Sequence, residues 1–74
     1  MSTKIKLNIA ILTISDSRKL SNDKSGDILN KLIDESHHNL SERAIVKDNI
    51  YSIRSIVSLW IEKKDIDVVI TTGG

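Results

Sequence analysis

Cysteine and proline are both missing from this chain of 74 residues. Without cysteine there is no disulfide scaffold, no thiol nucleophile and no cysteine zinc site. Such a composition is compatible with a reducing compartment, and a cytoplasmic location is expected. Aromatic residues make up only 3%, one tryptophan and one tyrosine. Stacking platforms for single-stranded nucleic acid are therefore nearly absent. Neither sign of charge dominates: 11 basic and 10 acidic residues leave a net +1, so no nucleic-acid partner is expected. No apolar run approaches the roughly 20 residues of a membrane helix, and no membrane association is expected. The two lysines within residues 1–6 precede only a short β-branched run. That run reads as a strand, not a signal peptide.

What is present is a globular balance of 39% apolar and 28% charged residues. The mass of 8.3 kDa allows one small domain, which buries about 60% of its unfolded surface and is marginal in stability.

Residues 9–14 (IAILTI) are almost continuously apolar and isoleucine-rich, which fits a strand buried on both faces. Ser15-Asp16-Ser17-Arg18 breaks the run with turn chemistry, and residues 19–24 read as a loop. Asp23 or Ser25 can cap a first helix. Its apolar face is Ile28, Leu29, Leu32 and Ile33, and Gly26 weakens it modestly. It is expected to end within residues 36–39, with Asn39 in a left-handed exit conformation. Residues 41–47 (SERAIVK) give the weakest strand signal and belong at a sheet edge. Asp48 or Asn49 can cap the second helix. Its predicted stripe is Ile50, Ile53, Val57, Trp60 and Ile61, with Ile56 beside it and Trp60 in the core. Lys63 and Lys64 are expected in its last turn, as a solvated end that complements the helix dipole. Residues 67–72 (DVVITT) form a third strand, before Gly73-Gly74.

The order β-α-β-α-β implies parallel pairing with right-handed crossovers. The apolar first and third strands should be neighbours, giving spatial order 2-1-3. This is the opening portion of a doubly wound, mostly parallel α/β sheet, in which ligands bind beyond the carboxyl ends of the strands. Ser15-Asp16-Ser17, Lys47-Asp48-Asn49 and Thr72-Gly73-Gly74 all fall there. Taken alone, each has an ordinary explanation. Two glycines after a strand form a turn, Asp48 caps a helix, and Asp16 bonds its own backbone. Arg18 is by default an exposed loop arginine, though it could also meet a phosphate. Strand one is not followed by a Gly-x-Gly-x-x-Gly or a Gly-Lys-Ser/Thr loop, which disfavours dinucleotide and P-loop binding. His37 and His38 are adjacent, with no third ligand at a recognisable spacing, so no metal site is expected.

Taken together, residues 9–18 (IAILTISDSR), 23–32 with Ser25-Gly26, 44–54 (AIVKDNIYSIR) and 68–74 (VVITTGG) resemble the N-terminal part of the MoaB/MogA molybdenum cofactor biosynthesis family. Trp60-Ile61 places the resemblance closest to the MoaB branch. It implies a molybdopterin-binding α/β fold, here truncated: residues 1–74 as a partial domain whose C-terminal half is absent. Active members of the family are molybdopterin adenylyltransferases. The terminal phosphate of molybdopterin attacks the α-phosphate of Mg-ATP, and pyrophosphate leaves. By the same resemblance, Asp48 is the catalytic aspartate after strand two. Ser15 and Asp16 border the pterin site. Thr72, Gly73 and Gly74 open the family's Thr-Gly-Gly-Thr-Gly signature, whose last two residues and following aspartate are not in this chain. Molybdopterin is thus the implied substrate, with Mg²⁺ and ATP. Full-length relatives are homo-oligomers, trimers or hexamers, and this chain is not expected to assemble normally. Two alternatives stay open: an inactive truncated product, or a small α/β interaction module. Strand three would present an apolar edge, so the isolated chain is expected to be unstable, molten or self-associating.

Overall fold

The structure is a computed structural model describing residues 5–17 and 19–73. Its elements are β1 (Asn8–Ile14), a 3-10 turn (Leu20–Asn22), α1 (Lys24–Glu35), β2 (Asn39–Val46), α2 (Ile50–Glu62) and β3 (Val68–Gly73). Both β2 and β3 pair parallel with β1, giving the expected order β2-β1-β3. No helix among the described residues is long and apolar enough to cross a membrane.

β1 is central because its residues can be buried on either side. Ile9 and Ile11 pack with Ile33 of α1, supported by Leu29, Leu40 and Ile70. Ala10 and Leu12 face the other way and pack with Trp60 of α2, supported by Ile53, Ile56 and Val57. Two helices on opposite faces leave no side of β1 for polar residues, which explains its unbroken apolar run. Each fully buried leucine or isoleucine contributes about 1.5–3 kcal/mol.

Pairing along β2 contains one irregularity that matters for the site. Ile9 pairs with Leu40, but Ala10 pairs with Glu42, so Ser41 is an extra residue. A bulge of this kind shifts all later side chains to the opposite face. Arg43 therefore sits beside Ile11 on the α1 face, while Ala44 and Val46 join the Trp60 core. Without the extra residue, Arg43 would point into that apolar core.

Several boundaries differ from the sequence expectation. The left-handed residue after α1 is His37, at φ 62°, not Asn39. The His37 N–H donates to the Asp34 carbonyl at 3.0 Å and the His38 N–H to the Ile33 carbonyl at 3.0 Å, which together make a Schellman ending. Asn39 instead opens β2, donating its N–H to the Leu7 carbonyl at 2.9 Å. β3 starts one residue later than expected, at Val68, and includes Gly73. α2 ends at Glu62, so Lys63 lies just past the last turn. Its ammonium meets the Glu42 carboxylate on β2 at 2.5 Å instead of standing free in solvent.

Both predicted helix stripes are wider than the buried ones. Ile28 and Leu32 on α1 are exposed, as are Ile50 and Ile61 on α2. Three strands are too narrow to cover those flanks.

Candidate functional site

The carboxyl ends of β1 and β2 border an open groove of about 470 Å³. Ser15, Asp16 and Lys19 line it from the loop after β1, residues 43–46 from β2, and Lys47 from just past the strand. Ser15 is buried, with its N–H donating to the Val46 carbonyl at 2.9 Å. The loop therefore leaves the sheet still paired to β2. The Ser15 Oγ accepts a long 3.4 Å bond from the Ser17 N–H.

Asp16 reaches well beyond its own turn. Its Oδ1 accepts the N–H of Asp48 at 3.0 Å, across 32 positions. Asp48 is also relieved of the capping role that a lone reading assigns it. Asn49 is the cap of α2, its Oδ1 accepting the N–H groups of Tyr51 at 2.8 Å and Ser52 at 3.2 Å. The Asp48 carboxylate is left exposed at the rim, next to Lys47 of the groove wall.

β3 brings the other predicted residues alongside. Thr72 pairs with Thr13 and Gly73 with Ile14, so the β3 end lies beside the start of the Ser15 loop. Neither Thr72 nor Gly73 lines the groove, which opens on the β2 side of β1. The structure thus joins Ser15, Asp16 and Asp48 around one rim, with Thr72 and Gly73 on the far side of β1. Gly74 and Arg18 lie outside the described residues.

Sequence reasoning missed the polar cluster beneath this rim. Asp23 caps α1 and is wholly buried. Its Oδ1 accepts the Gly26 N–H at 3.1 Å. Its Oδ2 accepts the buried Thr13 hydroxyl at 2.6 Å and Arg43 Nη2 at 3.3 Å. The same Nη2 reaches the Asp23 carbonyl at 3.1 Å and the Asp27 carboxylate at 2.8 Å. Burial pushes the Asp23 carboxyl pKa up, but the bonds from Thr13, Gly26 and Arg43 outweigh it and hold the group below its ordinary 3.8. Burial opposes charge on Arg43 too, yet Asp27 and Asp23 hold its pKa above the usual arginine range. A signal for this cluster did exist: an arginine that a strand carries into a half-buried position next to an apolar run needs a carboxylate partner.

A second depression, of about 480 Å³, lies at the opposite end of the sheet, lined by Ile5, Lys6, Ser36, His37 and His38. His38 Nδ1 there accepts the Leu7 N–H at 3.0 Å. The carboxyl edge is the better candidate, because it gathers hydroxyl, carboxylate and cationic groups where parallel sheets place their ligands.

The family model described as "Probable molybdopterin binding domain" matches residues 10–74. The chain belongs to this family. It is 46% identical over 70 residues to molybdenum cofactor biosynthesis protein B of Escherichia coli K12, covering 95% of this chain and 41% of that protein. The Bacillus cereus protein of the same name is 45% identical over 64 residues, covering 86% of this chain and 38% of that one. A crystal structure of molybdenum cofactor biosynthesis protein B superposes with a TM-score of 0.89 at 38% identity, over 95% of this chain and 44% of that chain. The chain therefore spans under half the length of these relatives, and it carries the β-α-β-α-β portion of the family fold. No group of three or more His, Cys, Asp or Glu side chains placed to hold a metal occurs among the described residues.

Proposed function

We propose that the carboxyl edge of this sheet binds molybdopterin in the biosynthesis of the molybdenum cofactor, and that Asp48 serves its Mg-ATP-dependent adenylylation. The observation that carries this reading is the Asp16–Asp48 contact. It draws the two loops to which the family resemblance assigns substrate-binding and catalytic roles onto one rim.

Ser15 and Asp16 would border the pterin, with Thr72 and Gly73 on the β3 side. Lys19 and Lys47 offer positive charge to a phosphate along the groove. Exposed and free of the cap, Asp48 suits the magnesium that accompanies ATP, since Mg²⁺ commonly binds through one or two carboxylates plus substrate phosphates. Bound there, magnesium would offset charge on the nucleotide phosphates. The reaction forms a bond from a terminal phosphate oxygen of molybdopterin to the α-phosphorus of ATP and breaks the bond to pyrophosphate. Such transfers depend mainly on positioning and charge stabilisation.

The test is calorimetric titration of the chain with molybdopterin, followed by assay of pyrophosphate release with Mg-ATP. Saturable binding and turnover in the wild type, with Asp48→Asn binding molybdopterin but releasing no pyrophosphate, support the reading. Absence of molybdopterin binding by folded wild type overturns it. Binding without turnover removes only the enzymatic part. Turnover retained in Asp48→Asn removes the role of Asp48.

A further inference from the structure

We infer that Asp23 and Arg43 are positioning residues: together they clamp the loop after β1 and so set the geometry of the groove that Ser15 and Asp16 line. The inference rests on the molybdopterin-binding reading for its functional consequence only.

The loop has two ends, held very differently. Its upstream end is part of the sheet, through the Ser15 N–H and the Val46 carbonyl. Within the loop three described bonds are short-range, Ser17 to Ser15 at 3.4 Å, Lys19 N–H to Asn22 Oδ1 at 2.8 Å and Asn22 N–H to the Lys19 carbonyl at 3.0 Å, and one is long-range, from the Asp48 N–H to Asp16 Oδ1 at 3.0 Å. The first three shape the loop itself, and the fourth ties it to the exposed β2–α2 turn. Its downstream end is Asp23, whose carboxylate is bonded to β1 through Thr13, to α1 through Gly26 and to β2 through Arg43. One buried side chain thus ties together β1, α1 and β2.

Arg43 is the part of the clamp that reaches the site, since it also lines the groove wall. Its Nη2 meets three oxygens, while its buried Nε has no hydrogen-bond partner among the described residues. Leaving a buried donor unpaired is costly, so the side chain is held by the carboxylates at its tip.

Gly26 shows how tight the arrangement is. A Cβ built there falls 2.2 Å from Asp23 Oδ2 and 2.8 Å from Arg43 Nη2. Glycine at a third helix position usually weakens a helix; here it makes room for the pair. Gly26→Ala therefore disturbs the clamp while leaving each of its functional groups in place.

The test compares wild type with Asp23→Asn, Arg43→Gln, Arg43→Lys and Gly26→Ala in the full chain. Asparagine keeps the capping oxygen but loses the charge. Amide proton–nitrogen spectra are recorded, and molybdopterin affinity is measured where urea curves show each variant to be folded. The expected shifts concentrate at Ser15, Asp16, Ser17, Lys19 and Asp48, with Trp60 and Val69 nearly unmoved. Affinity is expected to fall at least tenfold in Asp23→Asn and Arg43→Gln, and less in Arg43→Lys.

A purely structural role would lower affinity only in proportion to the unfolded fraction, and would spread shifts over the core. Either of those results, or unmoved loop amides in folded variants, overturns the clamp. If Asp23→Asn does not fold, Arg43→Lys and Gly26→Ala supply the same comparison. If wild type binds no molybdopterin, the functional reading fails separately, and the amide shifts alone decide whether the clamp exists.

Discussion

The N–H of Asp48 donates to the carboxylate of Asp16 at 3.0 Å, joining two turns that lie 32 residues apart. Both residues sit at the carboxyl edge, so this bond fastens the β2–α2 turn to the loop after β1. An exposed hydrogen bond to a charged acceptor is worth about 1 kcal/mol, or roughly a fivefold change in a local opening equilibrium. Asp16→Ala is expected to speed hydrogen exchange at the Asp48 amide by about that factor and to leave exchange in β1 unchanged. Amide exchange followed by NMR measures both.

Asn49, not Asp48, caps α2. Replacing a capping side chain with alanine costs about 1 kcal/mol. Asn49→Ala should therefore lower the urea midpoint clearly. Asp48→Ala should leave it almost unchanged. Equal losses would mean that the two residues share the cap.

Acid should loosen the clamp. The Asp23 carboxyl lies below its ordinary 3.8 in the folded protein, so the unfolded chain binds its proton more readily. The stabilisation is therefore complete above the unfolded value and is lost as pH falls from there through the folded value. Urea midpoints measured from pH 7 down to 2.5 should stay level to about pH 5 and then decline. Asp23→Asn should show a shallower decline, because the proton it would have bound no longer counts.

His37 holds φ at 62° without being glycine. A left-handed residue with a Cβ carries roughly 1–2 kcal/mol of strain. His37→Gly should relieve it, offset in part by the greater freedom of glycine in the unfolded chain. A net gain of about 0.5–1 kcal/mol is expected from denaturation curves. A loss instead would mean that the imidazole makes contacts that outweigh the strain.

The fold was largely legible because its signals are local. The run at residues 9–14 marked a strand buried on both faces, and Ile9, Ala10, Ile11, Leu12 and Thr13 are all buried. Trp60 on the helical stripe reads as core and is 3% exposed. The same periodicity overstated burial at Ile28, Leu32, Ile50 and Ile61. A stripe records which face is apolar, but the breadth of the sheet decides how much of that face is covered. Local sequence favours Asn39 for the left-handed exit, because asparagine tolerates that conformation well. The Schellman bonds of residues 37 and 38 put it at His37 instead.

For the site, the contrast is sharper. The alternation of apolar runs and turns already located three segments at one edge of a parallel sheet, because parallel strands bring their carboxyl ends together. It also presented Asp16 and Asp48 as interchangeable with ordinary turn and cap residues. Only the folded chain separated these roles, by bonding Asp16 to the Asp48 backbone and giving the cap to Asn49. The Asp23–Arg43 pair was wholly a matter of tertiary structure. Its partners are 20 residues apart, and they face each other only because the extra Ser41 turns Arg43 to the α1 side of β2. Periodicity carries information over a few residues. Strand register carries it across the sheet, and register is settled only when the strands pair.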